Sequence, residues 1–156
     1  MNLKQLYQDI ILEHGKSPRN LGKCEGYSHE AKGYNPLCGD KVHVYLKLNT
    51  EKKVENLTFE GDGCAISLAS ASIMTELVKG RSINDTKEIM SAFLNMIKNT
   101  SEMNSNHLDD DQKTKIMSLS GVKQFPMRVK CATLSWHTLN SAMDEKKEEV
   151  NTEVMD

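Results

Sequence analysis

The sequence predicts an α+β fold, a small antiparallel three-stranded sheet packed against several helices. Three patterns carry that expectation. Residues 42–48 alternate apolar and polar, and a second strand-like run follows at 54–60. Apolar residues recur at helical spacing on both sides of this pair. Glycines and prolines stand at the junctions.

Leu3, Leu6, Tyr7, Ile10 and Ile11 fall at i, i+3, i+4, i+7 and i+8, one face of a first helix that Gly15 and Pro18 end. It reads as an ordinary packing helix. Residues 19–34 are irregular, punctuated by Gly22, Gly26 and Gly33. Val42, Val44, Leu46 and Leu48 then alternate with His43, Tyr45 and Lys47, so one face of this strand is buried. Asn49-Thr50-Glu51-Lys52 is the turn, and Val54 to Glu60 returns with Leu57 and Phe59 on one face. The 24–34 segment extends the hairpin to three strands.

Gly61-Asp62-Gly63-Cys64 closes the sheet and opens a helix from Ala65 to Lys79. Its small residues, among them Ala65, Ser67, Ala69 and Ser70, permit close approach to the sheet, and Gly80 stands just past its end. Residues 82–98 make another helix, capped by Ser82, whose stripe of Ile89, Met90, Phe93, Leu94 and Ile97 packs on the body of the domain. The polar stretch 99–111 reads as a mobile loop. A short helix spans about 112–119, and Pro126 suits the first turn of the last helix. There Val129, Ala132, Trp136 and Met143 lie near one face. The expected organisation is one domain over 1–144 and a charged flexible tail over 145–156, too polar to add to a core.

A chain of 156 residues buries roughly 68–70% of its unfolded surface, so it needs no staples. Twenty Lys and Arg against 22 Asp and Glu leave a net charge of −2, which argues against nucleic acid as a partner. The charged first nine residues do not resemble a signal peptide, and no apolar run approaches the ~18 residues of a membrane span. A cytoplasmic location and no membrane partner are expected. The four cysteines, Cys24, Cys38, Cys64 and Cys131, are too few for a disulfide scaffold.

The stretch Asn35-Pro36-Leu37-Cys38-Gly39-Asp40 places a thiol and a carboxylate two residues apart on a tight turn. Cys64 opens a helix, where unpaired N–H groups favour a thiolate, and Cys131 lies in the first turns of the last helix. Three thiolates and one carboxylate suit a tetrahedral metal. The separations, 26 residues from Cys38 to Cys64 and 67 from there to Cys131, are not those of a zinc knuckle. Two readings therefore stand: a shared metal site at Cys38, Asp40, Cys64 and Cys131, or separate buried cysteines. Cys24 has neither a glycine turn nor a helix start around it and reads as an ordinary thiol. None of the five histidines is paired at ligand spacing. Arg128 shares a helix face with Cys131, where it either stabilises a thiolate or persulfide, meets an acidic partner, or is simply solvated.

Three motifs occur in order: Asn35 to Asp40, then Gly61-Asp62-Gly63-Cys64-Ala65-Ile66-Ser67 with Ala69 to Ser72, then Arg128-Val129-Lys130-Cys131-Ala132-Thr133-Leu134 with Trp136. Together they resemble the NifU N-terminal, or IscU/SufU, family of iron–sulfur cluster assembly proteins, from the first helix to about Met143. Within the family the chain looks like the SufU branch. IscU-type scaffolds carry a histidine just before the last cysteine, where this chain has Lys130, and the long gap before Cys131 resembles the SufU spacing, with an insertion near 82–105.

The resemblance implies a zinc ion held by Cys38, Asp40, Cys64 and Cys131. It implies that Cys38 accepts persulfide sulfur from a SufS-type, pyridoxal-phosphate cysteine desulfurase, which the protein stimulates. Arg128 matches an arginine associated with that partner. The sulfur then passes to downstream cluster-assembly proteins, so the chain would act as a sulfurtransferase-like persulfide carrier. The alternative is a scaffold on which a [2Fe–2S] cluster is assembled and transferred, using much the same thiolates. Lys130 separates the two. A third reading is a zinc domain whose metal only supports folding.

Overall fold

In a computed structural model, which describes residues 2–98, 103 and 107–154, the alternating run becomes an inner strand of the sheet. The helix α1 spans Leu3–Lys16, and the strands are β1 (His29–Asn35), β2 (Asp40–Leu48) and β3 (Val54–Asp62). Strand β2 pairs antiparallel with both β1 and β3. Val44 lies opposite Ala31 on one side and Phe59 on the other, so the apolar residues stack across three strands on one buried face. Both outer pairings run to the end of the sheet: Asn35 faces Asp40, and Lys41 faces Asp62. The β1–β2 loop at 36–39 and the exit of β3 at Gly63 therefore emerge side by side.

The helices that follow are α2 (Ala65–Val78), α3 (Ile83–Lys98), α4 (Asp110–Met117) and α5 (Pro126–Met143), with a 3₁₀ segment at Ser118–Gln124 before α5. The small residues of α2 serve helix contacts more than sheet contacts, because α2 packs mainly between α1 and α5. Ser70 donates to the carbonyl of Ala132 at 2.5 Å and accepts from Trp136 Nε1 at 3.0 Å. Trp136 is fully buried and stacks at a tilt on Phe93 of α3, 4.7 Å between ring centroids. Removing such a side chain costs about 3–5 kcal/mol. The 82–98 segment thus packs on the body as expected, with Ser82 accepting from Asp85 N at 3.0 Å. Helix α5 lies hard against β1. A Cβ on Gly33 would collide with Thr138 and Leu134, so this strand position has room only for hydrogen.

α1 is bound more lightly. Its buried residue is His14, whose Nδ1 meets Ser72 Oγ at 2.7 Å, while Leu3 and Leu12 are exposed. Of the stretch expected to be a mobile loop, residues 99–102 and 104–106 lie outside the described residues, and Asp109 is instead the cap of α4, in a capping box with Gln112.

The sheet corrects the sequence reading in one respect. It has four strands, in the order β3-β2-β1-β4, not three. The extra strand, β4, is Val150–Asn151, and it pairs parallel with Gly33 and Tyr34 of β1. It comes from the segment expected to fray. Val150 packs half-buried against the core, the strand's backbone satisfies an otherwise open sheet edge, and Thr152 just beyond it is buried.

Candidate metal centre

The end of the sheet collects the three motifs. Strand pairing between Asn35 and Asp40 forces residues 36–39 into a four-residue hairpin loop, closed by Gly39 N donating to Asn35 O at 2.8 Å. Gly39 sits at φ +73°, a left-handed conformation that glycine adopts without strain. Cys38 is at the exposed tip of this loop, and Asp40 is fully buried at its base.

Asp40 is held from two sides. One carboxylate oxygen accepts from Cys64 N at 3.0 Å, the other from Asn35 Nδ2 at 3.1 Å. The first contact explains Gly63. A Cβ there would sit inside the van der Waals envelope of the Asp40 carboxylate. Cys64 itself is the N-cap of α2, and its sulfur accepts from Ser67 N at 3.5 Å. Cys131 is buried on α5, with its sulfur 3.4 Å from that of Cys38 and 3.5 Å from Asn35 Nδ2.

Ligand atoms of Cys38, Asp40 and Cys131 lie within 4.8 Å of one another. Ligand sulfurs on a tetrahedral zinc with bonds of about 2.3 Å are themselves roughly 3.8 Å apart, so the donors stand at nearly the required spacing. Cys64 is outside that 4.8 Å group, with its sulfur turned to the first turn of α2, yet it is hydrogen-bonded to Cys131. The hydrogen bond from Cys131 and the N–H groups at the start of α2 bring the Cys64 thiol down to about 6. The same bond to Cys64, with burial and the neighbouring Asp40 and Cys38, pushes Cys131 upward. Of the two thiols, Cys64 is the one whose surroundings favour the anion. Soft thiolates beside a buried carboxylate, in a cluster that already favours one anion, fit a zinc ion chemically.

Arg128 points elsewhere. It is exposed, with its guanidinium over the Phe125 ring at 4.9 Å. It borders an apolar groove lined by Leu3, Tyr7, Ile11, Ile66 and Phe125. Cys24 is buried far along the sheet and accepts from Asn56 Nδ2 at 3.4 Å. Two residues of the centre had no role in the sequence reading. Asn35 stood in the motif, and its place beside a hairpin proline was its one signal. Thr152, whose Oγ1 donates to Asn35 Oδ1 at 2.9 Å, gave none, since it lies in a charged tail. Outside this centre, Asp85, Glu88 and His107 also come within 4.8 Å of one another, but on the surface of α3.

No helix among the described residues is long and apolar enough to cross a membrane. The family model for the NifU-like N-terminal domain matches residues 6–151. The zinc-dependent sulfurtransferase SufU of Bacillus subtilis (strain 168) is 40% identical over 146 residues, 94% of this chain and 95% of that protein. The scaffold protein IscU of Streptococcus pyogenes serotype M1 is 33% identical over 141 residues, 90% of this chain and 84% of its own. Among solved structures, SufU of Fervidobacterium islandicum AW-1 superposes with a TM-score of 0.78 at 34% identity, covering 89% of this chain and 97% of that one. A NifU-like N-terminal domain from Brucella abortus gives 0.79 over 94% and 99%, at 22% identity, a likeness of fold. With one domain model spanning nearly its whole length, the chain belongs to the NifU-like N-terminal family of iron–sulfur cluster assembly proteins.

Proposed function

We propose that this protein is a zinc-bound sulfur acceptor that takes persulfide sulfur from a SufS-type cysteine desulfurase, stimulates it, and delivers the sulfur to cluster assembly. The observation that carries this reading is the asymmetry of the thiols. Cys38 and Cys64 are both exposed, but Cys38 rides on a glycine-hinged loop whereas Cys64 is built into a helix cap, and Cys131 and Asp40 are buried. Cys38, Asp40, Cys64 and Cys131 would hold the metal, Cys64 after turning its sulfur from the cap. Zinc, when bound, keeps thiols deprotonated and adds no redox chemistry of its own.

The chain's residues do the rest. Docking of the desulfurase draws Cys38 out of the cluster as a thiolate. Its sulfur attacks the terminal sulfur of the donor persulfide. A new S–S bond forms on Cys38, the donor S–S bond breaks, and the donor cysteine leaves as a thiolate. The terminal sulfur keeps its oxidation state throughout, so the step needs no reductant. Asp40, Cys64 and Cys131 stay behind as the anchored remainder. Arg128, beside an apolar groove and turned away from the thiols, supports a role in meeting the partner. Lys130, paired with Glu153 at 3.1 Å, supports the carrier over the cluster scaffold, because an ammonium offers no ligand where the scaffold branch has a histidine.

The test is transfer of ³⁵S from a persulfide-charged cysteine desulfurase. Label is expected on Cys38 in the unmodified chain and in Cys24→Ala, and none in Cys38→Ala. Acceptance by Cys38→Ala at the native rate would end this assignment.

A further inference from the structure

The tail brings a buried hydroxyl to the metal centre. Parallel pairing of Val150 and Asn151 with Gly33 and Tyr34 sets residue 152 beside Asn35, the last residue of β1. Thr152 is 2% exposed there. The strap is fixed on its far side as well. Glu153 takes an ion pair from Lys130, the residue preceding Cys131, and its N–H donates to Asn151 Oδ1 at 2.9 Å.

The Asn35 side chain is fully buried, and its polar atoms are engaged in one direction. Its amide nitrogen has two hydrogens. They go to Asp40 Oδ2 at 3.1 Å and Cys131 Sγ at 3.5 Å. Its oxygen accepts from the Thr152 hydroxyl at 2.9 Å. Turned by 180°, the amide would set its oxygen against the Asp40 carboxylate, acceptor against acceptor. Thr152 rewards the productive orientation, since it supplies the donor that the oxygen needs in a site sealed from water.

From this chain of bonds we infer that Thr152 is a positioning residue of the metal centre. Acting through Asn35, it clamps Asp40 and Cys131 as the ligands that stay, and leaves Cys38 as the ligand that moves. An N–H donor on a thiolate sulfur draws off electron density, so Cys131 becomes the poorer nucleophile of the two adjacent thiolates. Cys38, 3.4 Å away, is met by the Cys131 sulfur and, among the described residues, by no N–H donor. The tail therefore contributes to which cysteine takes sulfur, although the Thr152 hydroxyl bonds Asn35 and not a sulfur. This inference rests on the metal-centre reading given above. It is independent of whether a desulfurase is the sulfur source.

The experiment uses the full chain and reads metal binding rather than sulfur transfer. Thr152→Val keeps the shape and removes the hydroxyl. Thr152→Ser restores a donor. Partners that orient metal ligands are typically worth about 10–100-fold in affinity. One bond further out, Thr152→Val is expected to weaken zinc binding, in competition with a chromophoric chelator, by roughly tenfold. It should also shift the thiolate-to-metal charge-transfer band of the cobalt(II) form. Thr152→Ser should recover both. In an Asn35→Ala background, Thr152→Val should add less than about twofold, because the relay is already cut. Thr152→Ala carries the same expectations should the valine variant fold poorly. Affinity and cobalt spectrum unchanged in Thr152→Val, or equal losses with and without Asn35, would overturn the inference. If the unmodified chain gave no cobalt–thiolate band, the metal centre would fall and the inference with it. A normal band with no sulfur acceptance would sink only the carrier reading.

Discussion

Cys38 and Asp40 are two residues apart, and their surroundings could hardly differ more. Cys38 projects from a hairpin tip, beside a glycine with nothing within 4 Å of where a side chain would begin. Asp40 opens β2 with no exposed surface, and each carboxylate oxygen accepts from the fold. Four bonds tie the base of the loop to other elements: Cys64 N and Asn35 Nδ2 to Asp40, Asn35 Nδ2 to Cys131, and Thr152 to Asn35. The contrast shows how one site holds a metal and still releases a ligand. Rigidity and freedom are assigned to different residues of the same turn.

The hardest test of that division is a pair of substitutions. Cys38→Ala is expected to abolish sulfur acceptance and leave a folded chain, since an exposed side chain contributes little to the core. Asp40→Ala strikes the clamp. It removes a candidate ligand and leaves Cys64 N and one Asn35 hydrogen unpaired in a buried site. Zinc affinity should fall by more than the roughly 10–100-fold seen for groups that only orient ligands. Equal loss of zinc from both variants, measured by chelator competition, would mean that tip and base are one unit and the contrast is false.

Gly63→Ala attacks the base without touching a ligand. The added methyl collides with the Asp40 carboxylate and forces it off Cys64 N. Overpacking of this kind costs about 1–3 kcal/mol of stability, and misplacing the carboxylate should weaken zinc roughly 10–100-fold. Urea unfolding and chelator competition would check both. Native zinc affinity in a folded Gly63→Ala chain would show that Asp40 does not depend on this cradle.

The sequence made the tip far more legible than the clamp. Cys38, Gly39 and Asp40 announce themselves by residue type and by a glycine where the chain must turn. Gly63 before Cys64 marked a helix start, which α2 bears out, although its deeper reason, room for the Asp40 carboxylate, appears only once β2 and β3 are paired. The central hairpin, α1 and α3 followed from periodicity, because period 2 and period 3.6 are set by backbone geometry alone, while α2, α4 and α5 followed from helix-compatible residues and from glycine and proline at their ends. β4 did not. A two-residue strand has no period, and it is held by backbone bonds to β1 and by one apolar side chain, Val150, against the core. Thr152 was invisible for the same reason: its partner is 117 residues away in sequence.

Acid offers a milder probe, aimed at the platform under the clamp. His137 lies on α5, which carries Cys131, and burial with Lys98 nearby pushes its pKa down to about 4. His14, between α1 and α2, is lowered too, first by burial and then by Arg19. A histidine depressed in the fold takes its proton more readily in the unfolded chain. Their contribution is therefore intact above about pH 6.5, and is lost as the pH falls from there towards about 4. For the metal-free chain, the urea midpoint should drop over that window, by the equivalent of about 1–3 kcal/mol. His137→Gln should flatten the slope. A midpoint independent of pH between 7 and 5 would show that α5 is not acid-sensitive.

The smallest effect is expected at Gly39, and it bears most directly on how the tip moves. At φ +73° an alanine costs about 1–2 kcal/mol through its Cβ, yet no neighbour stands in the way. Stability should drop by about that amount, and zinc affinity should stay within about twofold, because the donors at the base keep their bonds. Sulfur acceptance should slow several-fold all the same. If Cys38 leaves the cluster by rotating about this residue, a side chain here closes off the left-handed and extended conformations that glycine crosses freely. A Gly39→Ala chain that bound zinc normally and accepted sulfur at the native rate would show that the loop moves as a rigid flap hinged elsewhere. The contrast between tip and base would survive, but the hinge would have to be sought at Pro36, where the loop leaves β1.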